Sequence, residues 1–425
     1  MRTQNRHEKT AIRLAWIAPL LLALSLALGQ TELELWTFID PAGDNVRSQA
    51  LAHVIDTFEE QNPGVTVTAN VIQWQELSPS LLRAAQARRV PDVVMLFAPL
   101  LPTHVDAGTI LPVNDYLSEE IRSDLVIFPE AQTSDGTIFA IPYEMRVGGI
   151  IYRADLFEAA GLELPRTLDE LAAAATELTV GDQVGMAMPF SAKNASGAME
   201  WLFPTLVGMG AEILNEDGSA DFASEEAERL VQWVYDLVHV HEAMPLDVAL
   251  LGSEETQQLV ISGQAAMRPL PTHRLEFIRS ESGLGDNIQI MELVTFDPEQ
   301  PGPALTQGWT AAIPAASDSP DLAWKLIEHW VSPEMQIAQT KMAGYIPIRA
   351  SVLSDPFFDT EEAKDIRWAL NYASEHPMTF AGLSQHTNVL YDVWARMFEQ
   401  VLTDQMSPSE GLAWAEREYD SLTER

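Results

Sequence analysis

The sequence contains no cysteine. Disulfides, thiolate metal centres, iron–sulfur clusters and cysteine nucleophiles are therefore excluded at the outset. Lysine is almost as scarce: Lys9, Lys193, Lys325, Lys341 and Lys364 are the full set among 425 residues. No Gly-Lys dipeptide occurs, so there is no phosphate-cradling loop that ends in that pair. Gly283-Leu284-Gly285 is followed by Ile288 where a dinucleotide-binding turn needs a third glycine. Neither a Gly-x-Ser-x-Gly elbow nor a His-Glu-x-x-His pair is present. His239 and His241 flank Val240, but residues two apart on a helix point to different faces, which suits a solvated helix end better than a metal pair. No cofactor is expected. No internal repeat or low-complexity linker divides the chain.

Positive charge is also in short supply. The chain has 25 Lys+Arg against 62 Asp+Glu, a formal net charge of −37. A surface of this sign repels phosphate backbones and anionic headgroups, which argues against nucleic acid or an acidic membrane as partner. The acidity reads as a solvating surface. Apolar residues at 47% and charged ones at 20% are ordinary for a folded soluble protein. The length exceeds the roughly 250–300 residues at which a single core stops growing, so two domains are expected.

The one long apolar run comes first. Arg2, Arg6, Lys9 and Arg13 precede Leu14–Leu28, and Ala27 and Gly29 stand at the −3 and −1 positions of a cleavage site. That is the layout of an export signal, residues 1–29. The run is shorter than the ~20 residues a bilayer span needs, and Pro19 interrupts it. With no cysteine behind it, lipid attachment is ruled out. The expectation is a soluble, monomeric protein of a periplasmic space.

After the signal, Leu33–Phe38 alternates as a strand does, Val46–Glu60 has helical spacing, and Asn62-Pro63-Gly64 marks a turn. Val65–Val71 alternates again, residues 77–89 look helical, and Asp92–Phe97 is the continuous apolar run of a buried parallel strand. Strand, helix, strand, helix, strand predicts a doubly wound α/β lobe. Thr167 with Glu170, Ser332-Pro333-Glu334 and Ser407-Pro408-Ser409-Glu410 open helices with Ser/Thr caps. Beyond residue 320 the pattern is almost entirely helical.

Several phrases then occur in a telling order. They include LELWTFID, VPDVVMLFAPL, IPYEMRVGGIIYRADLFEAAGLELPRTLDEL, WLFPTLVGMGAEILNEDG, SGQAAMRP, TQGWTAAIPAAS and GYIPIRASVLSDP. Together they cover nearly the whole chain after the signal. In this the chain resembles the extracellular solute-binding proteins of ABC importers, in particular the sugar-binding, maltose-binding-protein-like family. The resemblance implies a periplasmic-binding-protein-like fold: two doubly wound α/β lobes joined by hinge strands around a central cleft. It implies an N-terminal lobe of residues 30–146 plus 268–311 and a C-terminal lobe of 147–267 plus 312–425. The crossings would fall near Arg146–Gly149, Met267–Pro271 and Gly308–Ile313. Gly148-Gly149, between two strand-like runs, supports the first independently.

By the same resemblance the chain would be a non-catalytic receptor that passes a carbohydrate or polyol to membrane permease subunits. A hydroxyl-rich ligand needs flat apolar faces for its C–H surfaces and polar side chains for its hydroxyls. Trp309, behind Gly308, is expected to face the cleft, with hinge packing as the alternative. Gly308 would let chain and ligand approach closely. Trp201 and Tyr391 match aromatic cleft positions of the family, with core packing as their alternative. Asp40 and Phe97 follow strands at the carboxyl edge where open α/β sheets place ligands; Asp40 could equally cap a helix. Tyr143 and Arg146 lie at the first crossing. Arg349 would reach the cleft or bridge the lobes. Trp36, Trp233 and Trp324 are expected to be structural.

Two other readings remain. The same fold could take glycerol phosphate or another polyol, which would need Arg146, Arg349 and Lys193 to converge. An exported saccharide hydrolase would need a carboxylate pair, but among 62 acidic residues some pair always has suitable spacing.

Overall fold

A computed structural model describes residues 31–192, 196–215, 217–300, 302–378 and 386–423. The expected export signal and Lys193 lie outside them.

The first half of the chain builds one sheet from the alternating segments. β1 (Thr31–Thr37) pairs in parallel with β2 (Val65–Val71) and β3 (Val93–Phe97). Helix α1 (Val46–Gln61) crosses between β1 and β2, and α2 (Trp74–Ala87) between β2 and β3. Asn45 caps α1, accepting from the backbone N–H of Arg47 and Ser48, which satisfies donors the helix leaves free. All five β3 residues are buried, as a strand covered on both faces requires. β4 (Ala140–Pro142) completes the sheet, but not beside β3. β11 (Trp309–Ala312) is inserted between them, antiparallel to both, giving the order β2-β1-β3-β11-β4.

A second sheet, β7-β8-β6-β9, belongs to the other lobe: β6 (Ile150–Arg153), β7 (Val184–Met186), β8 (Ala265–Pro269) and β9 (Ile288–Met291). The period of two along β6 divides its faces. Ile150 and Tyr152 enter one apolar cluster, with α3 (Ser196–Gly208) and α4 (Glu225–His239). Ile151 enters another with Val260, Leu275 and Ile278. α5 (Ser253–Ile261) packs on β8, while α7 (Thr387–Leu402) and α8 (Pro408–Thr423) close the larger cluster.

Between the lobes lies a third, small sheet. β5 (Arg146–Val147), β10 (Ala304–Gln307) and β12 (Pro377–Met378) pair in the order β12-β10-β5. Each strand is part of a segment that leaves one core for the other. α6 (Lys364–Glu375) leads into β12, and its Tyr372 hydroxyl donates to the Gly302 carbonyl and accepts from the Leu293 N–H.

The crossing expected at Arg146–Gly149 is where the chain passes from β5 to β6. The other two differ from expectation. Met267–Pro271 is the end of β8, and the chain stays in the C-terminal lobe through Leu275, Ile278, Ile288 and Leu293, crossing only between β9 and β10. Gly308–Ile313 enters the N-terminal sheet as β11 and stays there. Trp324, Ile327, Trp330, Ile348 and Tyr372 all pack in that core. The expected assignment of 268–311 and 312–425 therefore needs correction. Residues 270–294 sit with the C-terminal lobe and 309–372 with the N-terminal one. The reason is strand pairing: β8 bonds β6 and β7, and β11 bonds β3 and β4, which local phrases do not reveal.

Candidate functional site

The carboxyl ends of β1 and β3 open onto the space between the lobes, as open α/β sheets place their ligand crevices. From the N-terminal side come Phe38, Arg47, Trp74, Phe97, Arg146 and Trp309. From the C-terminal side come Gly197, Glu200, Ser253, Glu254, Leu270, Pro271, His273 and Arg274. These border a space of about 580 Å³ that is open to solvent. A contiguous recess of about 340 Å³ runs toward the crossings, lined by Gly148, Gly149, Trp201, Arg268 and Gln307. A larger groove of about 1120 Å³ elsewhere between the lobes is bordered by Arg279, Lys341, Lys364, Glu361 and Glu362. There Arg279 pairs with Asp365 at 2.5 Å and Lys364 with Asp286 at 3.0 Å, so its charged rim is already satisfied by its own residues.

One wall of the cleft is aromatic. Trp309 lies 4.1 Å from Phe38 and 5.6 Å from Phe97 between ring centroids, and is only 3% exposed. β11 register places Trp309 directly opposite Phe97 on β3, so the two rings share a face.

The other walls are charged. Arg146 donates from Nε to Glu144 at 2.7 Å, and Glu144 is fully buried. Arg274 pairs with Glu254 at 3.0 Å. Arg47 donates to the Tyr345 hydroxyl at 3.0 Å and lies over the Phe38 ring. Arg268 donates to Ser253 Oγ at 2.9 Å. Burial and the neighbouring Arg274 push the Arg268 guanidinium down to about 9. Burial also pushes the His273 imidazole well below its usual range, with Arg146, Arg274 and Arg47 adding to the effect, so it is neutral. Desolvation raises the Glu200 carboxyl, against the pull of Arg146, Arg268 and Arg274 and a hydrogen bond from Gln307.

Buried polar atoms nearly always have a partner, so those without one mark places worth explaining. Several belong to residues that line the cleft, namely Arg47 Nη2, Trp201 Nε1, Arg268 Nε and Nη1, His273 Nδ1 and Gln307 Oε1; Glu144 Oε2 and Tyr391 Oη are buried outside its lining, and Trp394 Nε1 lies in the C-terminal core. A hydroxyl-rich molecule could supply the missing donors and acceptors.

Of the sequence-predicted residues, Phe97, Trp309, Arg146 and Trp201 line this space. Tyr391 is buried against Phe203, and Glu200 lies close enough to act on its hydroxyl. Gly308 needs correction. An added Cβ would lie 2.2 Å from the Glu144 carbonyl oxygen, so its bareness serves a chain crossing, not ligand approach. Asp40 is exposed and accepts from the Ala42 N–H in its own turn. Tyr143 is a core residue, stacked on Trp330 at 4.6 Å. Arg349 bonds Asp124 at 3.0 Å and the Val331 carbonyl, all on the N-terminal side, so it neither lines the cleft nor bridges lobes. Trp233 and Trp324 are structural, the first donating to the Leu168 carbonyl and the second stacked with Tyr116. Sequence reasoning missed Arg47, Glu200, Arg268, His273 and Arg274. In a chain this poor in cations, Arg268, His273 and Arg274 within seven residues were a readable signal.

A mannitol-binding protein of Pseudomonas aeruginosa is 24% identical over 404 residues, covering 88% of this chain and 89% of that one. The maltose-bound binding protein of T. maritima superposes with a TM-score of 0.81 at 21% identity, covering 92% of this chain and all of that one. A ribitol complex of an ABC-transporter solute-binding protein from Agrobacterium radiobacter gives a TM-score of 0.77 at 20% identity, covering 93% and 99%. Residues 43–337 match the model of the bacterial extracellular solute-binding proteins, and with two lobes around a cleft of this form the chain belongs to that family.

Proposed function

We propose that this protein is the extracytoplasmic receptor of an ABC importer, capturing a small sugar or polyol between its lobes and handing it to membrane permease subunits. Members of the family are substrate-binding receptors rather than enzymes. The observation that carries the reading is the coincidence, in one cleft, of an aromatic shelf with buried polar atoms that lack partners. The shelf suits the C–H face of a sugar ring, and the unpaired groups suit hydroxyls. A relative named for mannitol and structural neighbours solved with maltose and ribitol support the polyhydroxylated class. The family's extracellular place and the basic-then-apolar N-terminus support export.

A thermal-shift screen of the mature protein over monosaccharides, disaccharides and polyols tests this. A ligand that binds only the folded state at a hundred times its Kd adds about 2.7 kcal/mol, a readily visible shift. The same mixtures, followed by chromatography, should show no product. A flat screen, or turnover of a saccharide, would refute the receptor reading.

A further inference from the structure

The chain is strongly acidic, yet its cleft gathers four guanidinium groups: Arg47, Arg146, Arg268 and Arg274. Two have carboxylate partners, Glu144 for Arg146 and Glu254 for Arg274. Among the described residues, neither Arg47 nor Arg268 has a carboxylate within 4.0 Å. Arg268 is the more telling. It is 1% exposed and lines the recess, a neutral serine hydroxyl is its hydrogen-bond acceptor, and Nε and Nη1 are buried without a partner.

Leaving a buried charge uncompensated is strongly destabilising, and a neutral hydroxyl restores only part of what an anion would. Glu200 is near but beyond ion-pair reach, and Gln307 occupies its carboxylate. A guanidinium N–H that lacks an acceptor is a strong, directional donor for an oxygen of an acidic group.

Resting on the receptor reading above, we propose that the cleft takes an acidic sugar or polyol, bearing a carboxylate or phosphate with an oxygen on Nη1 of Arg268 and Arg274 beside it. The hydroxylated remainder lies toward the Phe38–Trp309–Phe97 shelf.

Calorimetry on the full mature chain tests it with two matched sets: glucose, glucuronate and glucose 6-phosphate, and sorbitol, gluconate and sorbitol 6-phosphate. The carboxylate and phosphate arms distinguish the two sources of the acidic group. A charge-assisted contact predicts that one acidic member binds about ten- to a hundredfold more tightly than its neutral parent. Arg268→Met should abolish that preference, and Arg274→Gln should reduce it. If Arg268→Met fails to fold, the wild-type preference and Arg274→Gln decide. A neutral parent that binds as tightly as its acids overturns the proposal and leaves the receptor reading standing. An acidic preference untouched in both variants overturns the assignment to these arginines. Binding by no member of either set, neutral or acidic, counts against both readings.

Discussion

His104 should make the protein acid-sensitive by a calculable amount. The residue lies on a short helix (Leu101–Asp106) under the N-terminal sheet and is fully buried. Its ring nitrogens meet the hydroxyls of Ser78 and Thr109, each at 2.9 Å. Burial pushes its pKa down from 6.5 to about 4. The unfolded chain therefore takes up a proton near pH 6.5 that the folded chain refuses until near pH 4. Stability from this group is complete above pH 6.5, falls as the pH drops through that window, and levels off below it. At 1.36 kcal/mol per unit, the full loss is about 3 kcal/mol, of which about 2 kcal/mol is reached by pH 5. Carboxylates held low, such as Asp124 and Asp155, add their own acid sensitivity, so the measurement is a difference. Urea melts of wild type and His104→Gln at pH 7.5 and pH 5.0 should show the wild type losing about 2 kcal/mol more than the variant. Proton NMR should show the His104 ring unchanged from pH 8 to 5. Parallel pH dependences in the two proteins, or a ring that titrates near pH 6.5, would refute the reasoning.

Trp309→Ala and Trp330→Ala form a matched pair, since both rings are buried against other aromatic rings but only Trp309 lines the cleft. Each should cost about 3–5 kcal/mol of stability by denaturant melt. Only Trp309→Ala should also raise the Kd for the tightest ligand of the panel, by about ten- to a hundredfold; equal affinities in the two variants would remove Trp309 from the site. Gly308→Ala should lower the melting midpoint through its clash with the Glu144 carbonyl, while Gly181→Ala, strained only in φ, should be far milder by the same assay.

Much of the N-terminal sheet was legible because its strands announce themselves locally. Val65–Val71 alternates over the span it occupies as β2, and Asp92–Phe97 differs from β3 by one residue. The helix starts were legible too: Ser407 Oγ accepts from the Glu410 N–H while Glu410 accepts from the Ser407 N–H, the reciprocal cap its spacing predicts. Lobe membership was not. SGQAAMRP and TQGWTAAIP each supply a strand, and which sheet each joins depends on partners far off in sequence, such as Val184 opposite Ala265 and Phe97 opposite Trp309. The site was half legible for the same reason. Strand-end aromatics can be placed from a strand pattern, but Arg47 and Arg268 face one cleft only because two distant lobes meet there. Arg349 misled because its phrase matches the family while its side chain is spent on Asp124.

The insertion of β11 between β3 and β4 sets a timetable for the nascent chain. From Phe97 to Trp309 the ribosome must add about 210 residues, roughly 10–40 s of synthesis at ordinary rates. Through that interval β3 has one edge unpaired and apolar, and β4 has no neighbour at all. An open edge of this kind invites pairing with other chains unless something covers it. It also keeps the N-terminal lobe from closing early, so that, on the export reading proposed above, the chain would remain threadable while most of it is still being made. The wedge strand thus works as a delay as well as a structural member, and a chain stopped before residue 309 should hold neither a finished sheet nor a cleft.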